Sequence, residues 1–196
     1  MRQRSKKNSS SYVVEPLDSI LEKDEDFFNV LLQNFSSTNA DIENFIKTKA
    51  KQSSLLKNSV TYLVLDVNEN MLDLVGYFTL STKVLRVSGE HLSNTEKKKI
   101  RVFSYYDEKN SCYNCPAILL AQFGKNFNKK SLSITGDELM ELALSKVYEV
   151  QSMIGGRVLF LECEQNQKLI DFYAKHAFKI LGMPPADELL QMYKII

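Results

Sequence analysis

The sequence lacks most of the features that mark specialised protein classes. Its 196 residues include only three cysteines, and no apolar run approaches the ~20 residues of a membrane-spanning helix. The net charge is only +1, so global charge gives no reason to expect a nucleic-acid or membrane partner. A local basic patch is compatible with this net charge. The chain has no internal repeats and no low-complexity segment beyond residues 1–12.

The N-terminus is not expected to act as a secretory signal, because no hydrophobic segment follows its basic residues. Residues 1–12 are rich in Arg, Lys, Asn and Ser and are predicted to form a disordered tail. Residues 13–196 have a suitable length for a single domain that buries its core without help from a metal or a disulfide. We therefore expect a soluble, cytoplasmic protein that does not bind membranes.

The three cysteines do not complete a metal motif. Cys112 and Cys115 form a Cys-x-x-Cys pair, but a zinc site needs two more ligands at similar spacing. Cys163 and the histidines, His91 and His176, lie far from that pair in sequence. We therefore predict reduced thiols and no metal.

The first half of the chain predicts helices followed by a β-hairpin. Apolar residues recur at helical spacing over 17–33, as one interrupted helix or two short ones, and again over 39–56. Segments 60–67 and 74–80 are rich in β-formers and should pair as antiparallel strands. Gly76, inside the second strand, indicates a bulge or a close backbone approach.

Residues 88–115 are predicted to form a variable insertion. The lysines of the polar cluster 96–99 are interpreted as a solvated face in preference to a ligand contact. A strand-like segment follows at 100–103. The aromatic run at 103–106 is interpreted as a packed edge strand, with a substrate groove as the alternative.

The last third of the chain alternates strands and helices. The mostly apolar run 116–123 is typical of a strand covered on both faces. The pattern then predicts a helix at 136–153, a strand at 157–163, a helix at 166–176 and strands at 177–181 and 189–196. If the final strand lies at a sheet edge, two chains could pair through it as a homodimer.

The turn that ends at Gly136 is a candidate anion site. The first N–H groups of a helix lack partners and lie at the positive end of its dipole, and Gly136 lets a phosphate approach the backbone. An ordinary polar loop with a helix cap is the alternative. Further donors could come from neighbouring side chains: Lys129, Lys130, Ser131, Ser133 and Thr135.

Tyr173 is a candidate acid, because a tyrosine held near a leaving group can give it a proton. It lies among apolar residues of a predicted helix. A core aromatic residue with its hydroxyl at the surface is the alternative interpretation.

Residues 60–196 resemble the GCN5-related N-acetyltransferase (GNAT) family, which uses acetyl-CoA. The resemblance rests on the strand that ends in Leu-Ala-Gln-Phe-Gly124, the turn at 131–136, and Asn166 followed by Phe172-Tyr173. The family motif Gln/Arg-x-x-Gly-x-Gly/Ala falls on 131–136, where only Gly136 matches. The resemblance implies an α/β (α+β) fold with a mixed, mostly antiparallel central sheet flanked by helices.

The resemblance also implies roles for particular residues. Tyr173 would protonate the departing CoA thiolate, and the backbone of strand 122–125 would pair with the pantetheine arm. The expected general base is missing from strand 116–124, so Glu162 and Glu164 are candidates, with solvated carboxylates as the alternative. The implied acetyl-CoA-binding residues are Gln122, Phe123, Gly124, Lys125, Lys130, Ser131, Ser133, Ile134, Thr135, Gly136, Asp137 and Asn166.

A narrower resemblance, carried by 35–46, 61–64, 75–80 and 116–120, is to the acetyltransferase toxins of bacterial toxin–antitoxin pairs. Those toxins acetylate aminoacyl-tRNA and have an arginine-rich cofactor turn, whereas this chain has Phe-Asn-Lys-Lys at 127–130. We therefore expect acetyl transfer to a small-molecule or macromolecular amine. A tRNA-acetylating toxin is the second hypothesis, and a non-catalytic acyl-CoA-binding or interaction protein is the third.

Overall fold

The computed structural model describes residues 12–68, 71–128, 134–182, 185 and 187–196. The chain divides into two compact units: Met1–Thr79 with Gln122–Leu142, and Leu80–Ala121 with Ala143–Ile196. The single domain at 13–196 stays a prediction, and so does the N-terminal tail. Among the described residues, no helix is long and apolar enough to cross a membrane.

The described strands belong to one mixed sheet. Its order is β1-β2-β3-β5-β6-β8-β7, and β4 pairs with β5 outside this path. The registered pairs are antiparallel except for β5 with β6. The strands are β1 Tyr12–Pro16, β2 Val60–Asn68, β3 Met71–Ser88, β4 Tyr105–Asp107, β5 Cys112–Lys125, β6 Val158–Cys163, β7 Lys179–Ile180 and β8 Leu190–Ile195.

Seven α-helices flank the sheet within the described residues. The helix predicted for 39–56 contains a π-helical turn, Phe45–Lys49, between α3 and α4, and a short 3-10 turn covers Gly89–His91. The α-helices are α1 Leu17–Lys23, α2 Glu25–Gln33, α3 Ala40–Asn44, α4 Ala50–Leu55, α5 Asn94–Ile100, α6 Gly136–Ile154 and α7 Gln167–Lys175.

The core of the first unit joins its N-terminal helices to β2 and β3. Asp24 ends α1 and caps α2, because its side chain accepts a 2.9 Å hydrogen bond from Phe27 N–H. The interrupted helix predicted from the sequence is therefore two helices. Their buried side chains pack with those of the strands in one apolar cluster: Leu17, Ile20, Phe28, Leu31, Phe35, Ile46, Ala50, Leu63, Leu65, Leu74 and Tyr77.

The insertion at 88–115 differs in part from its prediction. The prediction of a strand at 100–103 is wrong. A capping box between Ser93 and Glu96 starts helix α5, and this helix runs to Ile100. The aromatic run does enter a short strand, β4, which pairs with the start of β5. Tyr106 packs against Tyr113 with ring centroids 4.7 Å apart, as a packed strand requires.

Two predictions at the ends of the chain are also corrected. Tyr12, placed in the tail by the sequence, begins β1 and pairs with Asp66. The final strand, β8, lies between β6 and β7 and is not a sheet edge. Its outer side pairs with β7 where Lys179 meets Tyr193 and Ile180 meets Met192, and a homodimer stays a prediction.

Candidate active site

The end of β5 is packed so closely that position 124 accepts only glycine without a rearrangement. A Cβ on Gly124 would lie 2.4 Å from Ile42 Cγ2 and 2.8 Å from Tyr77 Cε1. The Tyr77 hydroxyl donates a 2.6 Å hydrogen bond to the Ile42 carbonyl, which fixes α3 against the strand. Burial raises the pKa of Tyr77, so this donor stays protonated.

A second close approach lies on the neighbouring strand, as the sequence predicted. A Cβ on Gly76 would lie 3.0 Å from the Leu139 methyl groups of α6 and 3.1 Å from the Gly124 carbonyl. The two glycines therefore let α3 and α6 pack directly against β3 and the end of β5. This packing positions the strand that the family resemblance assigns to the pantetheine arm.

Replacing Gly124 with Ala should destabilise the protein by about 1–3 kcal/mol, because the added Cβ overpacks the contact with Ile42. The double variant Gly124→Ala/Ile42→Ala should recover part of that loss, since it removes the closest methyl group. Urea denaturation of the four proteins in this cycle checks the prediction. Strictly additive losses would show that position 124 does not press on α3.

Asn126 holds the segment that follows β5, and the sequence analysis did not single it out. Its fully buried side chain donates to the carbonyls of Asn34 (2.9 Å) and Leu74 (2.7 Å). Its Oδ1 accepts from the N–H groups of Ser36 (3.1 Å) and Asn128 (2.9 Å). One side chain thus ties the end of α2, the start of β3 and the beginning of the predicted cofactor turn together.

The four residues assigned to the pantetheine arm lie at the end of β5, as predicted. Gly124 is buried, whereas Gln122, Phe123 and Lys125 are half-buried. The Gln122 Oε1 atom is buried and accepts no hydrogen bond from the described residues. Lys125 Nζ lies 5.5 Å from the centroid of the Phe127 ring. Gln122 therefore offers an unused buried acceptor.

The helix start at the turn has a cap and a first N–H without an acceptor in the helix. Thr135 and Glu138 form a capping box: Glu138 Oε2 accepts from Thr135 N–H at 2.7 Å, and Thr135 Oγ1 accepts from Glu138 N–H at 3.1 Å. Gly136 is the first residue of α6, so its N–H has no acceptor within the helix. Ile134 is fully buried, and Asp137 lies in the first turn. Lys130, Ser131 and Ser133 lie outside the described residues.

Tyr173 is buried in the second unit, on α7. Its ring packs edge-on against Phe172 and Phe178 with centroids 5.2 and 5.9 Å away. Burial, and to a lesser extent Cys163, raises the pKa of Tyr173, so the hydroxyl stays neutral. No described residue makes a hydrogen bond with this hydroxyl. A buried ring with an uncommitted hydroxyl leaves the proton available to a ligand.

Asn166, which the sequence assigned to acetyl-CoA, is the N-cap of α7. Its side-chain oxygen accepts a 2.9 Å hydrogen bond from Lys168 N–H. It therefore fixes the start of the helix that carries Tyr173.

Within the second unit, the parallel pairing of β5 with β6 is short. Its registered pairs are Ile118 with Leu159 and Leu119 with Phe160, although both strands continue beyond these residues. Leu120 and Ala121 therefore have no registered partner on β6. The registered ladder between β5 and β6 therefore ends before the end of β5.

The two candidates for a general base differ in their environments. Glu162 accepts a 3.0 Å hydrogen bond from Gln191 and forms an ion pair with Lys83 at 3.6 Å. These contacts favour a paired strand carboxylate over a free base. Glu164 is exposed just after β6. Neither arrangement identifies a base.

No protein-family model matches the chain, and no curated protein matches it. Several solved structures do match the chain. AtaT complexed with acetyl-methionyl-tRNAfMet superposes with a TM-score of 0.66 and 21% identity over 92% of this chain and 94% of AtaT. A tyrosine-to-phenylalanine mutant of KacT superposes with a TM-score of 0.66 and 20% identity over 92% of this chain and 93% of KacT. This chain has the GNAT fold.

A third structure, a bacterial toxin, supports the same GNAT fold with a TM-score of 0.69 and 15% identity over 95% of this chain and 92% of the toxin. A further neighbour is AtaTR bound with acetyl-CoA. The mixed, mostly antiparallel sheet and its flanking helices are confirmed. In this GNAT fold the end of β5 and the start of α6 belong to the first unit, and Tyr173 belongs to the second.

Proposed function

We propose that this protein is an N-acetyltransferase that transfers the acetyl group of acetyl-CoA to an amine by direct attack. The observation that carries the proposal is the GNAT fold shared with AtaT, a protein that has been captured with acetyl-CoA. Two features of the chain support it independently: the buried Tyr173 hydroxyl, which makes no hydrogen bond with a described residue, and the short registered pairing of β5 with β6.

In the proposed reaction the amine nitrogen forms a bond to the thioester carbonyl carbon, and the bond from that carbon to sulfur breaks. Tyr173 donates its proton to the leaving thiolate, and its raised pKa keeps that proton in place until then. Backbone N–H groups of β5 polarise the carbonyl oxygen. The amine loses its proton to water, so no carboxylate base is required.

The residues proposed to bind acetyl-CoA fit its chemistry. The backbone of Gln122 to Lys125 pairs with the pantetheine arm, and the unused Gln122 Oε1 accepts from an amide N–H of that arm. The N–H of Gly136, which has no acceptor within its helix, donates to the pyrophosphate. We retain the remaining assignments as proposals: Lys130, Ser131, Ser133, Ile134, Thr135, Asp137 and Asn166.

The capping carboxylate of Glu138 opposes the proposed phosphate site, because it adds negative charge at the start of α6. Glu138→Gln keeps an oxygen that can accept from Thr135 and removes the charge. We expect the dissociation constant of CoA to fall about two- to fivefold. Calorimetry at low salt measures this change.

The matched control is Glu141→Gln, which removes an exposed carboxylate from α6 beyond its first turn. It should leave the affinity for CoA unchanged, because the helix-end effect fades within one turn. Equal changes in both variants, or none in Glu138→Gln, would show that this helix start does not bind phosphates.

The proposed activity is tested by incubating the full chain with acetyl-CoA and a panel of amines. The panel contains polyamines, amino acids, peptide α-amines and aminoacyl-tRNA, and mass spectrometry detects the acetylated product. Acetylation of any amine with release of free CoA supports the proposal. Binding of acetyl-CoA without transfer to any acceptor would favour the non-catalytic hypothesis.

Aminoacyl-tRNA is the second candidate acceptor, because the neighbour AtaT has been solved with acetyl-methionyl-tRNAfMet. Expression of the chain in bacteria should then arrest growth, and Tyr173→Phe should relieve the arrest. Harmless expression of an enzyme that acetylates small amines would exclude this acceptor. We also propose that the protein is soluble and cytoplasmic, since aminoacyl-tRNA is found in the cytoplasm.

A further inference from the structure

A cavity of about 620 Å³ lies within the second unit, apart from every residue assigned to acetyl transfer. It opens beneath the insertion, where α5 covers β3, β5 and β6. Its apolar lining comes largely from one core cluster: Leu85, Val87, Leu92, Ile100, Val158 and Leu181. Its size and lining are typical of a small-molecule site.

Tyr173 does not line the cavity, although the cavity reaches from β6 to Ala177 and Lys179, which follow the helix of Tyr173. Val158, the first residue of the strand, lines the cavity, whereas Cys163, the last, lies beside Tyr173. A molecule in the cavity therefore does not occupy the position of the acid.

Positive charge surrounds this apolar lining. Lys99, Arg157, Lys179 and Lys194 line the cavity, and Glu96 is its one carboxylate, which leaves an excess of three positive charges. None of these four cations forms an ion pair within the described part of the chain. The charge around the cavity is therefore largely unneutralised.

The contacts of the charged groups show which of them a ligand could use. Arg157 lies over the Phe103 ring, 5.7 Å from its centroid, and Lys194 donates to the His176 carbonyl at 3.1 Å. The Glu96 carboxylate is occupied by the helix cap, since it accepts from Ser93 N–H at 2.9 Å and from Ser93 Oγ at 2.7 Å. Lys99 and Lys179 are exposed. Hydrogen bonds from Ser93 are the main cause that lowers the pKa of Glu96, and these two lysines lower it further.

We propose that this cavity binds a small organic anion with an apolar body, of the kind represented by a medium-chain carboxylate. The apolar body lies on the floor formed by β3, β5 and β6, and the acid group meets Arg157 and Lys179. An apolar floor offers no donor to the charged backbone of a nucleic acid. Charge complementarity at the entrance and apolar burial inside together select an amphipathic anion.

Calorimetric titration of the full chain with decanoate tests the proposal. We expect one decanoate per chain and no competition with CoA, so failure of the acetyltransferase proposal would not affect this result. Decylammonium, which has the same chain and the opposite charge, should not bind. Equal binding of both amphiphiles, or displacement of decanoate by a short RNA, would overturn the proposal.

Two charge reversals locate the site. Lys179→Glu should weaken decanoate binding about tenfold, because it replaces an attraction with a repulsion at the entrance. Lys168→Glu reverses an equally exposed lysine on α7 outside the cavity and should leave the affinity unchanged. Leu92→Trp, which places a larger ring in the apolar part of the cavity, should weaken decanoate binding about tenfold or more. Decanoate affinity that is unchanged in both Lys179→Glu and Leu92→Trp, with both variants folded, would overturn the proposal.

Discussion

Replacing Tyr173 with Phe should lower the turnover of acetyl transfer by roughly 10²-fold or more and leave the affinity for acetyl-CoA within about twofold. The variant keeps the ring that packs against Phe172 and Phe178 and removes only the hydroxyl. That hydroxyl makes no hydrogen bond with the described residues, so its loss should cost little stability. Steady-state kinetics and calorimetry measure the two effects separately.

The pH dependence gives a second test of the acid. Burial raises the pKa of Tyr173 above the ordinary tyrosine value of 10.0, and only the protonated form can act as an acid. Turnover should therefore show no alkaline loss caused by Tyr173 below about pH 10. A loss near pH 8 that disappears in Tyr173→Phe would contradict this assignment.

Tyr148→Phe is the matched control, because Tyr148 is a half-exposed tyrosine on α6 without an assigned role. It should keep full turnover. Full turnover in Tyr173→Phe as well would show that Tyr173 is a core aromatic residue, the alternative left open by the sequence.

Replacing Asn126 with Leu should destabilise the protein by about 3 kcal/mol or more. The buried amide makes four hydrogen bonds. Leucine at this position would leave two backbone N–H groups and two backbone carbonyls without their hydrogen-bond partner. Each buried polar group left unsatisfied costs about 1–3 kcal/mol, partly offset here by the apolar replacement. Guanidinium or urea denaturation measures the loss.

The same substitution should weaken acetyl-CoA binding, because Asn126 connects the end of β5 to the proposed cofactor turn. The control is Asn94→Ala on the exposed start of α5, which should change the free energy of unfolding by less than about 0.5 kcal/mol. Wild-type stability in Asn126→Leu would show that the four hydrogen bonds contribute nothing net to the fold.

Local sequence patterns predicted the elements whose signals are local. Helix α6 and the β2–β3 hairpin follow from apolar periodicity and from a run of β-formers. The wrong strand at 100–103 shows the limit of this approach, since β-branched and aromatic residues there follow a helix. The capping box from Ser93 to Glu96 was readable in the sequence and would have corrected it.

The parts of the candidate site that depend on distant residues could not be predicted. Gly76 indicated that another part of the chain packs closely against its strand, but the sequence could not show that this part is Leu139, which lies far along the chain. Asn126 looks like an ordinary loop residue, and its partners Asn34 and Ser36 are 92 and 90 positions away. The place of β8 inside the sheet likewise depends on strand order, which periodicity does not encode.

Calorimetric titration of acetyl-CoA into the full chain tests the central claim most directly. The GNAT fold, the end of β5 beyond its registered pairs with β6, and the first N–H of α6 predict one binding site per chain, weakened by Glu138. Saturable one-to-one binding is the predicted result. A folded chain that binds neither acetyl-CoA nor CoA would contradict the proposed acetyltransferase.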